Sequence, residues 1–148
     1  MKIYVDTSVW GGAFDEEFEI WTEVLLDSIY EGKFTAVISD VTLRELSLAP
    51  IRVQELVANV PEEHLEIFYL TDEHEALATQ YLKEGALSAK FESDALHIAI
   101  ATIIKADILV SWNFKHMVNF FRIRQYNAVN LKSGYSIIDI RSPKEIVL

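Results

Sequence analysis

The chain has 148 residues, 51% of them apolar, and a formal net charge of −10. That length suits one domain, residues 1–148, able to bury roughly two-thirds of its unfolded surface, and the apolar content excludes a disordered chain. The absence of cysteine excludes disulfide staples and thiolate zinc sites, and the acidic balance argues against a tight nonspecific grip on duplex phosphates while suiting a metal-holding carboxylate cluster or a basic protein partner.

Residues 2–6 (Lys-Ile-Tyr-Val-Asp) read as a short buried strand, β-branched and aromatic until its polar end. Nothing before it has the apolar stretch of a secretory signal, and no run in the chain approaches the ~20 apolar residues of a membrane span. The expected compartment is therefore the cytoplasm, without membrane attachment. Thr7 and Ser8 are natural helix caps. An amphipathic helix is predicted over about 16–31, with Phe18, Trp21, Val24, Leu25 and Ile29 at helical spacing, and Gly32 ends it. Residues 35–39 make a second strand. Ser39 or Asp40 caps a helix carrying Val41, Leu43, Leu46 and Leu48 as far as Pro50, and another helix covers 51–59.

Residues 65–70 read as a third strand, followed by a helix over 72–84 that Thr71 or Asp72 caps and Gly85 closes. Ser93 caps a helix over 94–105 with almost no polar side, the pattern of a helix buried nearly all round. A fourth strand covers 108–111, a basic and aromatic segment 114–127, and a last strand 136–140. Alternating strands and helices predict an α/β fold: a three-layer sandwich with a mostly parallel sheet of four or five strands and helices on both faces. No repeat or linker divides it.

Ligands of open parallel sheets bind beyond the carboxyl ends of the strands. Asp6 ends the first strand, Glu45 lies in the first turns after the second, Asp94 begins the buried helix leading into the fourth, and Asn113 follows that strand by two residues. Four positions far apart in sequence thus map to one rim. Gathered carboxylates repel unless a cation holds them, and hard oxygen ligands select Mg2+ or Mn2+. Each acid also has a plainer reading: Asp6 as a turn cap, Glu45 as an exposed partner of Arg44, Asp94 as a helix-dipole acid.

The stretches Ile3-Tyr4-Val5-Asp6-Thr7-Ser8-Val9, Ser39-Asp40-Val41-Thr42-Leu43-Arg44-Glu45-Leu46, Ser93-Asp94-Ala95-Leu96-His97-Ile98-Ala99 and Ile108-Leu109-Val110-Ser111-Trp112-Asn113-Phe114 resemble, in order and approximate spacing, the PIN-domain family. That fold is found in many ribonuclease toxins of toxin–antitoxin pairs, the VapC type. The resemblance implies that Asp6, Glu45 and Asp94 are metal-binding acids of a Mg2+- or Mn2+-dependent endoribonuclease acting on RNA. It also implies a homodimer and a small antitoxin partner with a basic segment. Asn113 departs from the family pattern, which usually has a fourth acid there; its amide oxygen could still ligate a cation or orient water, and Glu92 or Asp15 could supply the missing charge.

Other candidates each face a structural alternative. His116 could meet phosphate or sit hydrogen-bonded in its loop. His97, one turn after Asp94, could bond to it or be a satisfied interior histidine. Ser8 and Ser111 could position water or a ligand carboxylate, or simply cap. Lys115, Arg122, Arg124 and Lys132, interleaved with Phe120, Phe121 and Tyr126, form the one dense basic stretch, readable as phosphate contacts with base stacking or as a solvated face over core aromatics. Trp10, Trp21, Phe14 and Phe18 read as core or dimer face. A catalytically weak binding module of the same fold is the competing function. Aspartyl-phosphate hydrolases begin similarly but place a second Asp where Ser8 stands, and Gly11-Gly12 lacks a phosphate-loop continuation.

Overall fold

In the first strand, Ile3 and Val5 point to one side and Tyr4 to the other, and all three are fully buried. Period-two alternation of this kind, apolar on both faces, requires cover above and below the sheet. The computed structural model describes residues 1–147 and supplies that cover. Its strands are β1 (Lys2–Val5), β2 (Thr35–Ser39), β3 (Leu65–Phe68), β4 (Ile108–Val110) and β5 (Ile140–Arg141). They form one five-stranded sheet in the order β3-β2-β1-β4-β5, every pairing parallel.

The helices are α1 (Thr7–Gly12), α2 (Glu19–Tyr30), α3 (Asp40–Leu46), α4 (Ile51–Ala58), α5 (Asp72–Lys83), α6 (Glu92–Ile103), α7 (Phe120–Lys132) and α8 (Pro143–Val147). Two cores result. On one face, Tyr4, Val37, Leu109 and Ile140 pack against α5, α6 and α7. On the other, Ile3, Val5, Ala36, Ile38 and Val110 pack against residues of α1, α2, α4 and α8. The expected α/β sandwich is the observed one, and α6 is buried from Ala95 through Thr102 as its sequence requires.

Several boundaries differ from the sequence reading for local reasons. The second helix starts at Glu19 rather than near 16, because Asp15 first closes a turn: its carbonyl accepts from the Phe18 and Glu19 amides and its carboxylate from the Glu17 amide. Val24, Leu43 and Leu48 face outward instead of inward. The sixth helix begins at Glu92, continuing a 3-10 turn over 89–91, so Ser93 lies within it and does not cap it. The basic, aromatic stretch belongs mostly to α7, capped by the Asn119 side chain accepting from the Arg122 amide. Of the strand expected over 136–140 only the end joins the sheet, the Asp139 carbonyl accepting from the Leu109 amide at 2.8 Å. The Asn127 side chain takes both backbone groups of Ile138, and the strand itself starts at Ile140.

Ser39 caps α3 through a reciprocal pair with Thr42, which turns the chain sharply off the end of β2. Thr71 caps α5 in the same manner with His74. β1 lies between β2 and β4: the chain runs from β1 through β2 to β3 on one side and crosses back to β4 on the other, so the crevice at the carboxyl end of β1 opens at the switch point.

Candidate functional site

Four segments meet at that crevice: the β1–α1 junction, the second turn of α3, the first turn of α6 and the loop after β4. Asp6 occupies the cap position of α1, with no side-chain capping bond, and is 5% exposed. Its backbone amide donates to the Val110 carbonyl at 3.0 Å, which pins it between β1 and β4. Its Oδ2 accepts from the hydroxyls of Ser8 (2.7 Å) and Ser111 (2.8 Å). Ser8 and Ser111 are therefore carboxylate holders here; Ser8 additionally accepts the Trp112 amide and Ser111 the Asn113 amide.

Glu45 is not the surface partner of Arg44. Its Oε1 accepts from the Thr7 hydroxyl at 2.8 Å and faces His97 Nε2 at 2.5 Å. That nitrogen also lies 3.9 Å from Asp6 Oδ1, beyond hydrogen-bonding distance but close enough for the charges to feel each other. His97 is fully buried, and its Nδ1 meets the Tyr4 hydroxyl at 2.7 Å, which in turn meets Ser39 Oγ at 2.7 Å. Of the two readings of His97, the satisfied interior histidine is the observed one: its ring nitrogens meet Tyr4 and Glu45, and no hydrogen bond to Asp94 is formed. Sequence reading missed Tyr4, Thr7 and Ser39, because a buried tyrosine in a strand and a threonine or serine at a helix start look like ordinary core and cap residues.

Electrostatics bind the three acids into one site. Burial raises the Asp94 carboxyl to about 6, with the charges of Asp6 and, to a lesser extent, Glu45 adding to the rise against an opposing pull from His97. Burial pushes Glu45 up as well, but its hydrogen bond and charge interaction with His97, the Thr7 hydroxyl and the Arg44 charge together outweigh that, and its carboxyl lies lowered from its ordinary value. For His97, burial disfavours the cation, and Tyr4, Glu45 and Asp6 together overcome it, so the ring's pKa is raised. Among the described residues, no three His, Asp or Glu side chains stand as a closed ligand cage. The acids share a crevice without being drawn together.

Asn113 does something different from the missing acid. Its side-chain oxygen accepts the amides of Lys115 (3.1 Å) and His116 (2.9 Å), folding the loop after β4, and is thus committed to backbone rather than free for a cation. Its amide nitrogen faces Asp94 Oδ2 at 3.5 Å. A carboxylate here would repel Asp94; the amide donates toward it instead. Glu92 is exposed on the helix and Asp15 closes the turn already described, so neither replaces that acid.

The remaining candidates are structural or peripheral. His116 is buried, its ring tilted at 39° against Phe91 with 3.8 Å between centroids, and its carbonyl accepts from the Tyr126 hydroxyl. Arg122 donates to the Ala86 carbonyl, Lys132 pairs with Glu84, and Arg124 lies over the Phe120 ring. Lys115, Phe120 and Phe121 are exposed, whereas Tyr126 is core. Trp10 is core too, while Trp21 and Phe18 are half-buried and Phe14 is exposed.

The PIN domain family model matches residues 3–113, three-quarters of the chain and the whole of the segment that builds this crevice. The chain belongs to the PIN domain family. No curated protein matches it. Solved structures with the same fold include VapBC2 from Rickettsia felis bound to a promoter DNA fragment, 18% identical with a TM-score of 0.62 over 96% of this chain and 98% of that one. FitAcB from Neisseria gonorrhoeae is 16% identical with a TM-score of 0.60 over 96% and 98%. VapC20 from Mycobacterium tuberculosis, a toxin that cleaves the sarcin–ricin loop, is 14% identical with a TM-score of 0.59 over 92% and 98%. In this PIN domain, the matched region ends at Asn113, where the loop turns back over Asp94. No helix among the described residues is long and apolar enough to cross a membrane.

Proposed function

We propose that this PIN domain is a Mg2+- or Mn2+-dependent endoribonuclease, the toxin of a toxin–antitoxin pair. The observation that carries the reading is that Asp6 and Glu45 both stand within 3.9 Å of one nitrogen of His97, with Asp94 near enough for the charge of Asp6 to lift its carboxyl. The donor chemistry suits a hard divalent cation. It is all oxygen, and the Asp94 carboxyl, raised first by burial and then by the charge of Asp6, is one that a neighbouring cation would bring back down. Asp6, Glu45 and Asp94 would hold the ion. Bound there, it would polarise the scissile phosphodiester and ease deprotonation of the attacking water.

The chain's own groups do the rest. Ser8 and Ser111 hold Asp6 by one oxygen, and the Thr7 hydroxyl and His97 hold Glu45 in the same way. The loop folded by Asn113 keeps its amide against Asp94. Lys115, exposed next to that loop, is available to a phosphate of the strand being cut. RNA is favoured as substrate by the fold shared with VapC20, VapBC2 and FitAcB, and an antitoxin with a basic segment as partner by that fold and by the net charge of −10. A homodimer in the cytoplasm completes the reading.

The test is cleavage of a mixed RNA substrate with and without Mg2+ or Mn2+. Asp6→Asn and Asp94→Asn are expected to abolish metal-stimulated cleavage while the circular dichroism spectrum stays unchanged. Undiminished cleavage by either variant would refute the assignment. One observation favours a second reading, a catalytically weak binding module: the Asn113 oxygen is committed to the loop, so a fourth charge is lacking. Calorimetry with Mn2+ separates the two, since a module that binds RNA or a protein without taking up metal would give no heat.

A further inference from the structure

Beneath Glu45 runs a chain of side chains that the proposed chemistry does not itself require. Ser39 Oγ, the Tyr4 hydroxyl, His97 and Glu45 Oε1 follow one another at 2.7, 2.7 and 2.5 Å, three of the four residues fully buried and drawn from β1, the end of β2 and α6. A buried imidazole is costly unless both ring nitrogens are partnered, and here both are. With Nδ1 committed to Tyr4, only Nε2 remains, and it points at Glu45. Thr7 donates to the same Glu45 oxygen. Glu45 Oε1 is thereby occupied twice, and Oε2 accepts no hydrogen bond among the described residues.

Asp6 is held by the same logic from different donors: two hydroxyls on Oδ2 and none on Oδ1. The two carboxylates face each other across His97 Nε2, each with one oxygen tied and one untied. We infer that His97, locked by Tyr4, is a positioning residue that fixes the rotamer of Glu45 so that a single carboxylate oxygen is presented to the crevice. Glu45 then enters any ligand set through one oxygen, and the polar residue buried at the heart of α6 is there to aim it. A partner that orients a ligand and fixes its hydrogen bonding is worth about 10–100-fold in metal affinity.

This rests on the ion-holding role proposed above, and the experiment keeps the two apart. Mn2+ affinity is measured by calorimetry for wild type, His97→Leu, His97→Gln, Tyr4→Phe, Glu45→Gln and the double variant His97→Leu/Glu45→Gln. Loss of His97 is expected to weaken binding by about 10–100-fold, with Gln, which retains a donor, recovering part of it and Tyr4→Phe losing less. In the Glu45→Gln background, removing His97 should cost nothing further, because it acts through that carboxylate. Equal losses in both backgrounds, or none in either, would overturn the inference.

If wild type takes up no Mn2+, the proposed metal dependence falls, and the positioning is read from the ring 15N resonances of His97 in the metal-free protein. Glu45→Gln should then move Nε2 and Tyr4→Phe should move Nδ1; resonances that stay put under both changes would reject the arrangement. Should His97→Leu fail to fold, His97→Gln and Tyr4→Phe carry the same comparisons.

Discussion

Asp94 begins from an ordinary carboxyl value of 3.8 and is lifted to about 6, first by burial and then by the charge of Asp6. In the folded, metal-free protein it therefore holds a proton that the unfolded chain gives up between about pH 4 and pH 6. Stability follows the difference in bound protons, and here the native state binds more, so this group makes the fold less stable as pH rises through that window. Thermal melting of the metal-free protein between pH 4 and 7 should show that decline, and Asp94→Asn should flatten it. A melting temperature that climbs through the window equally in both proteins would contradict the assignment. The positions of Asp6, Glu45 and Asp94 were legible in the sequence because strand ends and helix starts can be read from periodicity. Their partners were not. Thr7, Tyr4 and Ser39 are placed by contacts across 38, 93 and 35 residues, and no local pattern encodes which hydroxyl faces which carboxylate.

At the scale of the element, α6 was the clearest reading and α7 the poorest. An apolar surface on every side leaves a helix only the interior, whereas α7 carries Phe120, Phe121 and Leu131 outward, so its sequence offers no clean stripe. Ile98 is fully buried on α6 beneath the sheet. Ile98→Ala should cost about 2–5 kcal/mol in urea unfolding. The first helix was missed because it is six residues long and contains two glycines. Gly12 is explained by its surroundings: a Cβ there would lie 2.7 Å from Trp112 Nε1 and 2.8 Å from Thr22 Oγ1, the two atoms that hydrogen-bond to each other at 2.9 Å. Gly12→Ala should therefore destabilise by about 1–3 kcal/mol through overpacking, while Gly11→Ala, with nothing within 4 Å, should leave the midpoint nearly unchanged or raise it.

For the molecule as a whole, the alternation of elements dictated a parallel sheet but not its order. Placing β4 beside β1 depends on burial of β1 on both faces and on the crossover through α6, which only the assembled chain expresses. That order has a temporal consequence. The first strand is made well before its neighbour: the strand that closes its far side, together with the Ser111 hydroxyl on Asp6, is encoded 105 residues later. A growing chain can carry Asp6 and Glu45 long before Ser111 and His97 exist to hold them. For a protein proposed to cut RNA, the blade is thus assembled only after the whole stretch from Asp6 through Ser111 has been made.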